Sequence, residues 1–461
     1  MEAKLSTPRI GWLADLEQLA QNPSRMDQVQ ERLGINTIWL ESGRFHTAGY
    51  RLSKQAWESS PFKDWRSRPG LARHRQARRL PETSFPVLPG ILAGADDSDL
   101  QVVMAHAHRL GIELWGHMGL WSYGGMIYPE LAVKTLAGVA IPAEEDRWGA
   151  CFCPSKKDLN RWLAACLEDS IRSYPLQGIE VDHARYVPPQ SLPNLLACAC
   201  PDCARRAAEW GEDLTGLAQS ILESFRQLKS APAGQIRKAL GEAHTIPELL
   251  DSLTAGQAAS RWLALRARFL SVEICQMAEA AHRAGGKSFL FGIDVLPPSV
   301  GLLGGHDYAG LSCLDYFTGG FGLIGWERIS LSTCLEWARL ACRTWPGLEE
   351  GFILAQLCRL FGLPASLLPS STAGLEQPSK DVLAEVEVGE IRRMAALRPA
   401  EMPVYPPVSL PSLGLAGLDK ICRAVNENGL DGVFLAGLEN LSLEGDQKIS
   451  AALTALGSRL R

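Results

Sequence analysis

The chain has 461 residues, 46% hydrophobic and 21% charged, enough to bury the core of one elaborated α/β barrel or of two smaller domains. Lys and Arg number 46 against 51 Asp and Glu, and the resulting net charge of −5 excludes a global field favouring nucleic acid or an anionic membrane. The N-terminus carries acids where a secretory signal has an unbroken apolar core, and no stretch reaches roughly 18 apolar residues, so the sequence predicts a cytoplasmic protein without a membrane span.

Along the chain, strand-like runs fall at 10–13, 37–41, 113–116, 178–182, 288–294, 314–319, 402–408 and 432–438. Helix-like segments separate them at 26–33, 97–110, 157–174, 258–284, 330–344, 380–396 and 418–428, with another at 447–456. Several helices end in stop signals before a strand, as in Leu33-Gly34-Ile35, Leu110-Gly111-Ile112 and Ala284-Gly285-Gly286. Eight alternating units predict a single elaborated (β/α)8 TIM barrel over 1–461, an open doubly wound sheet being the rival. Insertions are expected at 42–89 after the second strand and, carrying cysteines, at 188–254 after the fourth, with a further excursion at 352–376. Both main insertions leave strand C-terminal ends, where barrel enzymes build their sites.

The basic run between Pro61 and Arg79 sets seven cations, among them Lys63, Arg66 and Arg68, against Asp64. It suits either an anionic ligand or a solvated loop.

Twelve Cys without a signal read as thiols or metal ligands rather than as a disulfide framework. Cys198-Ala-Cys200-Pro-Asp-Cys203 places three thiols within six residues, and Cys151-Phe-Cys153 offers a fourth, Cys153 ahead of Cys151. Tetrahedral zinc takes four such ligands, and a site so closed leaves no position for a catalytic water, which predicts a structural zinc and no organic cofactor. Cys166, Cys275, Cys313, Cys334, Cys342, Cys358 and Cys422 read as buried free thiols.

The segment GIEVDHARY, 178–186, reads as a buried strand that ends on Asp182, His183, Arg185 and Tyr186. The order Cys153-Pro154, helix, GIEVDHARY, CACPDC, an Arg-rich helix (Arg261, Arg266, Arg268), FLFGIDVLPPS and LDYFTGG resembles a group of bacterial barrel proteins assigned as glycoside hydrolases. The resemblance covers roughly 110–322 and is carried best by Asp182-x-x-Arg185-Tyr186 and the Cys loop. Zinc-containing bacterial β-galactosidases are similar in the Cys spacing alone, because their fourth strand ends in an Asn-Glu pair where this chain has Asp182-His183.

The resemblance implies a carbohydrate or glycoside substrate and two carboxyl groups astride an anomeric carbon. Asp182 is the expected nucleophile or charge stabiliser, kept ionised by Arg185, and Asp294, ending the fifth strand, is the expected proton donor. Glu439 and Glu41 are reserves, and Glu327 lies within possible reach. His117 and Trp121 follow the third strand and offer an aromatic platform with polar groups for a sugar. His183, Arg185, Tyr186 and His306 complete the expected binding set, with Trp39 read as core.

Two other readings compete: a metal-dependent sugar isomerase or lyase using His117, Asp182, His183 and Asp294, and a non-catalytic carbohydrate-binding barrel. Gly301–Gly305 and Thr318-Gly319-Gly320 lack the lysine and spacing of a phosphate loop. No nucleic-acid or membrane partner is expected, and a homo-oligomer is left open.

Overall fold

The computed structural model describes residues 8–41, 51–78, 97–121, 124–141, 151–186, 189, 192–254, 256–319, 325–364, 371–439 and 442–457. Nine strands, all parallel, form a nearly closed barrel with helices between them: β1 (Arg9–Asp15), β2 (Thr37–Glu41), β3 (Glu113–Gly119), β4 (Gly178–Asp182), β5 (Leu290–Val295), β6 (Tyr316–Gly319), β7 (Val404–Tyr405), β8 (Pro407–Ser409) and β9 (Gly432–Ala436).

The sequence predicts eight strands, and the ninth comes from proline. The seventh stave, 404–409, is split at Pro406, and its halves pair outward, β7 with β6 and β8 with β9. Pro403, Pro406 and Pro407 have no amide proton to give to a ladder. The Pro406 carbonyl accepts from Phe434 N at 3.0 Å, so β9 still meets the stave at the break.

The helix stops lie where the glycines forecast them. Gly34 and Gly111 adopt φ of 71° and 67°, a left-handed conformation in which a Cβ is strained, and each closes its helix one residue before the turn into a strand.

Period-two alternation sends one side chain in two into the barrel. Toward the strand N-termini the interior is apolar: Trp115, Tyr316, Tyr405 and Phe434 pack with Leu13, Trp39 and Leu290. Trp115 stacks on Tyr316 with ring centroids 4.2 Å apart. Gly292 makes room for this floor, since a Cβ there would come within 2.2 Å of the Tyr316 ring.

Between β4 and its return helix Ala258–Gly285 lie five helices, from Leu192–Leu195 to Ile246–Leu253. The stretch after β3 is a further long excursion, with bridges Ala132↔Phe152 and Lys134↔Ala140. The further excursion expected at 352–376 begins within the helix Glu350–Leu360. In the basic segment, Arg68 pairs with Asp64 and Glu130, each at 2.8 Å, and Arg66 lies over the Trp65 ring.

One cysteine expectation is corrected. Cys275 and Cys313 are joined in a disulfide rather than free, because helix Ala258–Gly285 runs beside the turn that precedes β6, with 5.6 Å between the two Cα atoms. No helix among the described residues is long and apolar enough to cross a membrane.

Candidate active site

Above the aromatic floor the barrel interior turns acidic. On β4, Glu180 and Asp182 are two apart and share the inward face; Glu180 is level with His117 of β3 and Gly292 of β5, and Asp294 is level with Thr318 of β6. Glu180 is fully buried, Asp294 is 1% exposed and Asp182 5%. Glu180 was not singled out in the sequence, although its signal was present: a residue two before an inward-facing strand-end acid faces inward as well.

Glu180 is held by the Thr318 hydroxyl, which donates to Oε1 at 3.3 Å, while Oε2 lies 3.0 Å from His117 Nδ1. The Trp39 indole N–H approaches the same His117 nitrogen at 3.2 Å, and His117 Nε2 lies 3.9 Å from Asp182 Oδ2. Asp182 in turn meets His183, with Nδ1 2.6 Å from Oδ2 and the His183 backbone N–H donating to Oδ1. His183 makes this contact from the left-handed region, φ 55°. A non-glycine residue held there is strained, of the kind that clusters at functional sites.

Burial pushes the Glu180 carboxyl well above the usual carboxylate range, and the neighbouring Asp182 and Glu41 charges push it further. Burial raises Asp294 in the same way, followed by the charges of Asp182 and Glu180, with Arg185 acting in the opposite direction. Acids this close in a dry interior cannot all ionise, so Asp294 and Glu180 retain protons through a pH range in which an ordinary carboxyl has lost them.

Of the other expected residues, Glu41 ends β2 within electrostatic reach of Glu180. Arg185, 1% exposed, acts on both Asp294 and His306 and donates to the Tyr186 carbonyl at 3.3 Å. His306 ties loops together: Leu296 N donates to Nδ1 at 3.1 Å and Nε2 lies 3.0 Å from the Ala184 carbonyl. Burial lowers its pKa to about 4 and Arg185 reinforces this, so the ring is neutral at pH 7. Trp121 is fully buried and donates to Asn160 Oδ1 at 2.9 Å, whose amide reaches Glu273 at 2.6 Å. Glu439 sits beyond β9 and accepts from Trp12 Nε1 and Asp15 N, both at 3.3 Å. Glu327 is buried beside Glu387, whose Oε2 accepts its backbone N–H at 3.0 Å.

The second cluster is the thiol quartet. The Sγ atoms of Cys153, Cys198, Cys200 and Cys203 all lie within 4.8 Å of one another, and all four residues are buried. Cys153 is 3.6 Å from Cys200 and 3.4 Å from Cys203, and Cys200 is 3.6 Å from Cys203. A tetrahedron with metal–sulfur bonds of about 2.3 Å has edges of about 3.8 Å, so these sulfurs stand close to the corners of a metal site. Lys134 N donates to Cys198 Sγ at 3.1 Å and Ser155 N to Cys153 Sγ at 3.4 Å, contacts that favour thiolates. Hydrogen bonds led by the one from Cys153 hold Cys200 far below the ordinary thiol range, while burial pushes Cys153 up. The quartet can therefore hold a metal ion.

Among the described residues no other three His, Cys, Asp or Glu side chains bring their ligand atoms that close together. The expected alternative around His117, Asp182, His183 and Asp294 is not such a set among the described residues.

No family model matches the chain, nor does any curated protein. Among solved structures it is similar to the PgaB (BpsB) glycoside hydrolase domain from Bordetella bronchiseptica, with TM-score 0.48, 10% identity and 98% of each chain covered. It is also similar to the catalytic domain of β-amylase from Paenibacillus polymyxa, with TM-score 0.46, 12% identity and again 98% of each chain. A third likeness is α-L-fucosidase isoenzyme 2 from Paenibacillus thiaminolyticus, with TM-score 0.44 and 10% identity, where 98% of this chain spans 49% of that one. With every TM-score below 0.5, the architecture rests on the strand order and register, and these likenesses carry no functional inference.

Proposed function

We propose that the chain is a glycoside hydrolase in which Asp182 and Asp294 form the working carboxyl pair. The observation that supports it is the difference in their surroundings: Asp294 is buried and raised by burial and by the Asp182 and Glu180 charges, whereas Asp182 Oδ1 accepts the His183 backbone N–H and Oδ2 lies 2.6 Å from His183 Nδ1. Two carboxyls in unlike surroundings are suited to opposite roles. Asp294 is the general acid that protonates the leaving oxygen, and Asp182 is the nucleophile or the carboxylate that stabilises oxocarbenium-like charge.

In a retaining pair the anomeric carbon sits between carboxyl oxygens about 5 Å apart. Glu180 lies beneath and, with its own proton, limits the negative charge around Asp182. We further read the thiol quartet as a structural zinc site, since four thiolates close the coordination sphere. The single elaborated barrel spanning 1–461, with its site-framing insertions, is part of the same reading.

Hydrolysis of an aryl glycoside panel by wild type and by Asp182→Asn tests it. Wild type is expected to cleave at least one member, and the variant is expected to bind that glycoside while losing turnover. A variant that turns over at the wild-type rate removes Asp182 from the chemistry. A wild type that binds sugars but cleaves none supports the carbohydrate-binding alternative.

A further inference from the structure

Helix Ala258–Gly285 returns the chain from the fourth-strand insertion to β5 and brings Arg266 into the interior. Arg266 is 1% exposed, and its Nη1 donates to the Leu195 carbonyl at 2.7 Å and to the Leu303 carbonyl at 2.8 Å. Its guanidinium lies 4.4 Å from the centroid of the Tyr186 ring. Nε and Nη2 have no hydrogen-bond partner among the described residues, and the groups that act on its charge are Tyr186, Cys198 and Cys203, with no carboxylate among them. A buried cation lacking an anion is strongly unfavourable, and such groups persist where something compensates them.

We propose that Arg266 is the counter-charge of the metal-loaded Cys quartet, and that it couples metal occupancy to the loops framing Asp182. Four thiolates around one divalent zinc leave a net charge of about −2, which a dry interior must balance. Lys156 also acts on Cys200 and Cys153, but its ammonium is paired with Asp202. Arg266 acts with Cys198 and Cys203 and has no carboxylate beside it among the described residues, its hydrogen bonds going to two carbonyls. Its contacts extend the effect beyond the metal: Leu195 precedes Cys198 in the β4 loop, Leu303 lies in the β5 loop, and Tyr186 follows Arg185, whose charge acts on Asp294. Arg266 is thus a positioning residue that touches neither substrate nor reacting atoms.

This proposal rests on the zinc reading of the quartet, and the test separates the two. Zinc chloride is titrated into wild type, Arg266→Met, Arg266→Gln and Arg266→Lys in competition with a chromophoric chelator, and each protein is melted with zinc and after chelation. The neutral variants are expected to lose about 10–100-fold in zinc affinity, the usual effect of removing a group that supports metal ligands, and to show a smaller zinc-dependent rise in Tm. Arg266→Lys is expected to hold zinc as wild type does. Neutral variants with wild-type affinity overturn the role of Arg266 and leave the zinc reading standing. Wild type that binds no zinc overturns both. If neither neutral variant folds, the Lys variant decides: zinc held as in wild type supports the proposal, and zinc affinity lost despite the retained charge overturns it.

Discussion

The acid cluster and the thiol cluster are joined by the short segment 182–186, and they resolve the same difficulty by different means. Each gathers acidic groups into a buried space. Glu180 and Asp294 resolve it by holding their protons more tightly, each pushed up first by burial and then by the charge of Asp182. The Cys quartet brings four buried sulfurs to the spacing of a tetrahedral site and can hold a metal ion instead. Proton-held charge can move within a turnover, whereas metal-held charge is fixed. The first suits chemistry and the second suits a frame.

That contrast can be broken most severely at Asp294. Asp294→Asn is expected to lose roughly 10²–10⁴-fold in turnover on a glycoside with a poor leaving group, the range of a general acid. The loss should be smaller with a nitrophenolate leaving group that needs no proton. Equal losses on both substrates would assign Asp294 to positioning rather than proton transfer.

Next in size is the frame. Cys203→Ser is expected to abolish tight zinc binding and to lower Tm by several degrees, measured by metal analysis and thermal melting. Chelated wild type should melt close to the variant, because both lack the same cross-link between the β3 and β4 loops. A variant that melts as high as zinc-loaded wild type would remove the metal from the frame.

The smallest effect is the pH dependence of stability. Glu180 and Asp294 bind protons more tightly folded than unfolded, so their favourable contribution is complete below their unfolded values, 4.5 and 3.8. It is lost as pH rises through the raised folded values. Each group contributes at most about 1.4 kcal/mol per pH unit within that window. Urea unfolding from pH 5 to pH 9 should show wild type losing stability more steeply than Glu180→Gln, which cannot ionise. Identical slopes would mean that Glu180 ionises as easily folded as unfolded.

Much of the fold was legible because a parallel barrel repeats one signal: an apolar run, then a helix closed by glycine. Strands 37–41 and 178–182 have the expected bounds. The sequence put Asp182 at a strand end, but reading GIEVD as one buried run hid the inward alternation that places Glu180 beneath it. The quartet was legible from spacing, since three of its members lie within six residues. The Cys275–Cys313 disulfide was not, because its partners are 38 residues apart and meet only once helix and barrel are packed. Trp121 reads as a sugar platform from its neighbours in sequence, yet its indole N–H is bound to Asn160 in the interior. Side-chain chemistry alone does not tell the mouth of a barrel from the core behind its loops.

The split seventh stave has a consequence for motion. Val404 N–H goes to the Asp431 side chain at 3.2 Å, and three prolines nearby have no N–H, so few amide bonds stitch this side of the barrel. A cylinder closed by full ladders elsewhere has a seam here. In native-state hydrogen exchange the amides of Tyr405, Val408 and Phe434 should therefore open before those of β3 and β4, and the barrel should unzip along 404–409 while its acidic wall remains closed.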